Sequence, residues 1–107
     1  MEDLKTLSNE ALIASLKDAC KREISATCEV LRHLIELDER RLYLELGYSS
    51  LFDYCLRALS YSESGAGRMV QAARTVKNYP EVLELLRERK HSLATLGKVA
   101  GMLSKQN

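Results

Sequence analysis

The sequence predicts an all-α protein, on three observations. Apolar residues recur at three- and four-residue steps over most of the 107 residues, which is the spacing of an amphipathic helix. No alternation of apolar and polar residues, as in a half-buried strand, competes with that spacing. Proline occurs once and glycine five times, so few residues interrupt a helix. We expect one compact bundle of five to six helices, with a long N-terminal helix and a helix-turn-helix-like pair.

The first predicted element is the long N-terminal helix. Ser8 is a plausible N-cap, Glu10 suits the first turn, and neither Pro nor Gly follows until Gly47, a good C-terminal stop. This pattern fits one long helix or two in near-continuation, protruding from the rest or packed on it. Residues 1–47 are therefore a possible dimerisation element. The apolar stripe consists of Leu12, Ile13, Leu16, Cys20, Ile24, Cys28, Leu31, Leu34 and Ile35.

Two helices with a short connection come next. Ser50 and Asp53 form a Ser-x-x-Asp start for a helix that ends near Ser60. The next helix begins at Ser62 and ends at Asn78, because Pro80 two residues later disfavours further helix. A connection this short is typical of a helix-turn-helix, in which the second helix contacts the DNA. Residues 48–107 are predicted to form this helix-turn-helix-like bundle, within one compact domain overall.

Two shorter helices complete the prediction. Pro80 suits the first turn of a helix through Val82 and Leu86 that frays over residues 87–90. Ser92 then caps a last amphipathic helix. The apolar residues of that last helix are Leu93, Leu96, Val99, Ala100 and Leu103.

The net charge is +1, but the charged residues are unevenly distributed along the chain. Residues 1–56 carry seven Lys and Arg against eleven Asp and Glu, whereas residues 57–107 carry nine against four. This segregation indicates an anionic partner for the C-terminal half. The apolar runs are too short to enter a membrane, and the acidic start is unlike a secretory signal. Three cysteines without metal-ligand spacing favour a reducing, cytoplasmic compartment.

Polar residues of the turn and of the helix after it form the predicted DNA surface. Arginine can bind guanine with two hydrogen bonds, glutamine can pair with adenine, and serine hydroxyls suit phosphate. Tyr61, in the turn, is expected to be exposed and to contact a backbone phosphate. The predicted DNA-binding residues are Tyr61, Ser62, Ser64, Arg68, Gln71, Arg74 and Lys77.

A family resemblance supports the same surface. The run over residues 40–55, followed by matching residues within 59–74, resembles the N-terminal helical module of bacterial HNH-family endonucleases. Residues 80–93 are also similar to the helix-turn-helix region of ParB-like partition proteins. The resemblance implies a DNA-targeting element placed before a nuclease. It also implies structural roles for Tyr43, Tyr48, Leu51, Phe52 and Tyr54.

Catalysis is not expected within this chain. An HNH centre needs clustered histidines to hold a divalent metal, and the two histidines, His33 and His91, are far apart in sequence. We therefore predict a non-catalytic module without metal, cofactor or small-molecule substrate, whose partners are double-stranded DNA and a second copy. The alternative is a protein-interaction or homodimerisation module without DNA contact. An enzyme is disfavoured because no acid/base pair or nucleophile constellation is present.

Overall fold

The computed structural model describes residues 3–88, and all regular structure in that part of the chain is helical. The predicted all-α class is therefore confirmed. The predicted last helix, from Ser92, lies outside the described residues. None of the helices within 3–88 is both long enough and apolar enough to cross a membrane. After a 3-10 turn at Leu4–Thr6, the helices are α1 (Asn9–Glu39), α2 (Leu42–Glu45), α3 (Leu51–Arg57), α4 (Glu63–Asn78) and α5 (Val82–Arg87).

The long N-terminal helix begins where predicted and ends earlier. Ser8 is the N-cap of α1, and its Oγ accepts a hydrogen bond of 3.1 Å from the backbone N–H of Ala11. The helix stops at Glu39 because Arg41 adopts the left-handed conformation, with φ of 50°. Gly47, with φ of 92°, follows the separate short helix α2. The stretch up to Gly47 is thus two helices and not one.

Helix α4 lies at the centre of the bundle, packed against α1, α3 and α5. Alanines account for three of its buried side chains. Helices from both predicted segments, 1–47 and 48–107, contribute to one hydrophobic core. The buried residues of α4 are Ala66, Met69, Val70, Ala72, Ala73, Thr75 and Val76. Those of the surrounding helices are Cys28, Leu31, Leu34, Leu51, Cys55, Val82 and Leu86.

The two halves of α1 differ sharply in burial. Its second half packs on the bundle through Leu31 and Leu34, which are 0% and 3% exposed. Every residue from Asn9 to Ala19 is exposed. Ile13 and Leu16 keep 53% and 63% of their surface accessible, although they lie on the apolar stripe of the same helix. The N-terminal half of α1 therefore protrudes, whereas the C-terminal half packs.

Candidate nucleic-acid interface

The connection between α3 and α4 forms a tight turn over residues 58–62. Helix α3 ends at Arg57, slightly before the predicted end near Ser60, and Ser60 takes the left-handed conformation with φ of 62°. The backbone N–H of Tyr61 donates to the carbonyl of Cys55 at 3.1 Å. Helix α3 packs directly against α4. The chain therefore forms the predicted pair of helices joined by a short turn.

Asp53 holds the start of α3 in place. The backbone N–H of Asp53 donates to Ser50 Oγ at 3.0 Å, and its carboxylate accepts from the backbone N–H of Ser49 at 2.9 Å. Arg57 donates to both carboxylate oxygens, at 2.7 and 2.9 Å. The hydrogen bonds from Arg57 and Ser49 hold the pKa of Asp53 well below its usual range. Arg57 also lies over the ring of Tyr48, so its guanidinium is already engaged within the protein.

Helix α4 presents one polar face to solvent. Ser64, Arg68, Gln71 and Arg74 follow one another at steps of three or four residues, and all four are exposed. Within residues 3–88, neither Arg68 nor Arg74 is in an ion pair. A planar guanidinium without a carboxylate partner can make paired hydrogen bonds to an external anion or to a base edge.

Four other arginines of the described chain are engaged locally. Each of them pairs with a carboxylate three or four residues earlier in the sequence. These arginines are Arg22, Arg40, Arg57 and Arg87, paired respectively with Asp18, Glu36, Asp53 and Glu84. Arg32 and Arg41 resemble Arg68 and Arg74 in having no ion pair within residues 3–88, but they lie outside α4.

A surface groove of about 580 Å³ runs beside this polar face. Gln71 and Arg74 line it from α4, together with Asn78, and Ser50 and Phe52 line it from α3. Sequence reasoning did not select Asn78, and the family resemblance gave Phe52 a structural role, although Phe52 is 38% exposed. Helical spacing could have found Asn78, which lies four residues after Arg74. The groove joins both helices of the pair into one concave surface.

Two predicted residues, Ser62 and Ser64, lie at the N-terminus of α4. Ser62 Oγ accepts a hydrogen bond of 3.1 Å from the backbone N–H of Gly65, so it caps the helix. A hydroxyl that accepts one bond retains its own proton for donation. Glu63 adds a negative charge at the same end of the helix. Phosphate contact here would therefore use hydroxyl donors beside one opposing carboxylate.

Two further predicted residues contact other parts of the protein. Tyr61 is partly buried, packs against the hydrophobic core and lines a second groove with Val30 and His33 of α1, so it is less exposed than expected. Lys77 Nζ lies 2.9 Å from Glu39 Oε1, and this hydrogen bond raises the pKa of Lys77. Lys77 therefore connects α4 to the end of α1. Sequence spacing alone did not reveal either of these tertiary contacts.

Comparison with known proteins adds no relatives. No protein-family model, curated protein or solved structure matches the chain. The resemblance to HNH-family and ParB-like modules therefore stays a prediction. Between residues 3 and 88, no three side chains of His, Cys, Asp or Glu are grouped so that they could hold a metal ion. His33 Nδ1 instead lies 2.7 Å from the backbone carbonyl oxygen of Glu29, in the same helix.

Proposed function

We propose that this chain binds double-stranded DNA through the exposed polar face of α4. The observation that carries the proposal is the pair of unpaired guanidinium groups, Arg68 and Arg74, on either side of Gln71. Arginine and glutamine are side chains that read guanine and adenine edges in the major groove. Arginine also binds phosphate, as does a serine hydroxyl such as that of Ser64. One face thus combines base-reading and phosphate-binding groups.

The dimensions of α4 suit this role. Sixteen residues at a rise of 1.5 Å per residue give a helix of about 24 Å, and the major groove admits an α-helix. Helix α3 packs beside α4 and supplies Ser50 and Phe52 to the adjoining groove. In helix-turn-helix proteins the first helix of the pair crosses the DNA backbone while the second lies in the major groove. We assign these positions to α3 and α4.

The charge of the described residues limits the strength of non-specific binding. Arg57 and Lys77, although basic, are committed to Asp53 and Glu39. Arg68 and Arg74 are then the cations of α4 available to phosphates, which corresponds to a salt slope of about −2. The rest of the positive excess of the C-terminal half comes from Arg89, Lys90, Lys98 and Lys105. We expect modest affinity that weakens with salt.

In biological terms, we propose a DNA-targeting module of an HNH-type endonuclease, or a stand-alone relative of such a module. The support is the sequence resemblance together with the helix-turn-helix-like pair. The proposed activity of the chain itself is binding and not hydrolysis. Its proposed compartment is the cytoplasm, where DNA is accessible and the free cysteines Cys20, Cys28 and Cys55 stay reduced.

Fluorescence anisotropy with a labelled random duplex tests the proposal. Measurements at about 50 and about 200 mM salt compare the wild-type chain with Arg68→Ala/Arg74→Ala. The matched control is Lys21→Ala/Arg22→Ala, which removes the same charge from exposed positions of α1 that precede Cys28, the first buried residue of that helix. We expect wild-type binding to weaken with salt, the α4 variant to lose at least about tenfold in affinity, and the control to change far less. Equal affinities for the two double variants would contradict the proposal.

A second substitution separates base reading from phosphate binding. Gln71→Ala removes no charge, so non-specific affinity should hardly change. Selection from a pool of random duplexes should lose preference at an adenine position, at a cost of about 1–3 kcal/mol in discrimination. Identical selected sequences for wild type and Gln71→Ala would contradict the proposal that Gln71 reads a base.

The second candidate function is protein interaction without DNA contact. Its specific support is the exposed apolar stripe in the N-terminal half of α1, formed by Leu12, Ile13 and Leu16. Self-association together with an absence of DNA binding at about 50 mM salt would favour this alternative over the first.

A further inference from the structure

The N-terminal half of α1 carries an apolar surface that the described bundle leaves uncovered. Leu12, Ile13 and Leu16 are 42%, 53% and 63% exposed. They continue the stripe that becomes buried from Cys28 onwards in the same helix. Large apolar side chains grouped on one face mark an interaction site more often than scattered ones do.

We propose that a second copy of this chain covers the stripe, with the two N-terminal halves of α1 packed antiparallel. This proposal is independent of DNA binding. Its symmetry is two-fold, so each copy uses the same surface. In coiled-coil notation, Ile13 and Leu16 occupy adjacent a and d positions, and Cys20 is the next a position. Antiparallel pairing then places Ile13 of one copy against Leu16 of the other, and the reverse.

The bundle itself favours the antiparallel direction. The face of α1 that would meet a second copy at Leu16 is the face that holds α4 and α5 further along the helix. Parallel helices would bring both bundles to the same end of the pair and into the space between the helices. Antiparallel helices place the two bundles at opposite ends. The overlap then runs from Asn9 to Cys20 in each copy, ahead of the packed half.

Charged residues beside the stripe select the same alignment. Glu10 and Lys17 both occupy e positions, and in the described part of the chain neither is in an ion pair. In the antiparallel alignment with Ile13 opposite Leu16, Glu10 of each copy lies against Lys17 of the other. A shift by one heptad places Glu10 against Glu10, or Lys17 against Lys17. A parallel pair places Lys17 beside Leu12 and forms no such ion pair.

Sedimentation velocity of the full chain tests self-association. Between about 5 and about 200 µM, the wild-type chain should change from monomer to dimer. Leu16→Glu should raise the dissociation constant at least about tenfold, with unchanged helix content by circular dichroism because Leu16 is exposed in the monomer. The matched control Ala14→Glu places the same charge on the other side of α1 and should still dimerise. A wild-type chain that stays monomeric at the highest concentration overturns the proposal.

Charge reversal tests the alignment. Glu10→Lys and Lys17→Glu should each weaken the dimer several-fold, because each replaces two opposite-charge contacts with two like-charge contacts. The double variant Glu10→Lys/Lys17→Glu should recover wild-type affinity. Additive weakening in the double variant would overturn the antiparallel pairing.

Cys20 gives an independent test of direction. In a parallel pair the two Cys20 residues would face each other, whereas in the proposed pair they lie about 16 Å apart along the axis, beyond disulfide reach. Mild oxidation should therefore leave the dimer without a Cys20–Cys20 cross-link. Rapid formation of that cross-link would overturn the proposal.

The remaining possibility is that residues 89–107 of the same chain cover the stripe. In that case the wild-type chain would stay monomeric, and Leu16→Glu would lower the free energy of unfolding of the monomer. This combined result would contradict the dimer and assign the stripe to the C-terminal segment instead.

Discussion

The two halves of α1 share one helix and one apolar stripe, yet only the second half packs on the bundle. Leu31 is fully buried, whereas Leu16, on the same stripe, is 63% exposed. The difference comes from what lies opposite. Helices α4 and α5 face the second half, and no described element covers the residues from Asn9 to Ala19. The spacing of apolar residues along a helix therefore predicts which face is apolar, but it does not predict what packs against that face.

The protruding half can still be helical because helix formation propagates from an existing helix. Extending a helix adds one hydrogen bond for each residue fixed, whereas starting one is costly. The packed half supplies the existing helix, and Ser8 satisfies the backbone N–H of Ala11 at the free end. Hydrogen bonds within the helix thus stabilise the N-terminal half of α1, which no other described helix covers.

The largest expected effect comes from truncating one leucine in each half. Leu31→Ala should lower the free energy of unfolding by about 2–5 kcal/mol, since Leu31 is fully buried and its truncation leaves a cavity in the core. Leu16→Ala, the matched change, should alter it by less than about 0.5 kcal/mol at concentrations where the chain is monomeric. Urea denaturation followed by circular dichroism measures both. Similar losses for both variants would show that something covers the N-terminal half in the monomer.

Removing the N-cap serine tests the same contrast at the helix ends. Ser62→Ala deprives the backbone N–H of Gly65 of its acceptor at the start of the central helix, and should cost about 1 kcal/mol of global stability. Ser8→Ala removes an equivalent bond to Ala11 from the protruding end. It should increase fraying there, seen as faster amide exchange, with little change in the denaturation midpoint. A large shift of the denaturation midpoint for Ser8→Ala would contradict the view that the N-terminal half of α1 contributes little to global stability.

Alanine substitution at the two glycines of α4 should have smaller effects, with a gain in stability at Gly67 only. Gly67→Ala adds a Cβ with no described atom within 4 Å, so the gain in helix propensity should raise stability by about 0.5–1 kcal/mol. Gly65→Ala would place its Cβ 3.0 Å from Ser62 Oγ, so crowding at the cap should offset that gain. In the protruding half, Ser15→Ala should leave the midpoint nearly unchanged, which calorimetry can check. A gain for Gly65→Ala equal to that for Gly67→Ala would argue against crowding at the cap.

Acid titration should reveal the contribution of Asp53 to stability. The pKa of Asp53 is lowered by Arg57 and Ser49 in the folded protein, so its contribution is present above the unfolded pKa of about 4 and is lost as the pH falls below it. Asp53→Asn should flatten that part of the stability profile. Parallel profiles for wild type and Asp53→Asn would exclude the proposed role of this carboxylate.

Local features were predictable because they depend on residues close in sequence. Ser8, Ser50 and Ser62 are N-caps as predicted, since a short hydroxyl needs only a backbone N–H three residues away. The break at Arg41 was not predicted, because glycine is the residue that usually adopts the left-handed conformation and the sequence has an arginine there.

The arrangement of the candidate interface was predicted in part. Ser64, Arg68, Gln71 and Arg74 lie together because helical periodicity alone puts them on one face of α4. The exposure of Phe52 in the groove depended on where α3 meets α4, and the resemblance had suggested the opposite role. Sequence spacing reports which residues share a helix face, and it carries no information about which face a neighbouring helix will cover.

The sequence by itself determined the helical class, the N-caps at Ser8, Ser50 and Ser62, and the polar face of α4, since these follow from residues within one or two turns of each other. Only the tertiary structure decided that Tyr61 turns towards the core, that Lys77 pairs with Glu39, and that half of the α1 stripe stays open. Each of these three features depends on how residues distant in sequence are brought together. Their geometry is set by how whole helices pack, and packing reflects the summed burial of many side chains rather than the preference of any one.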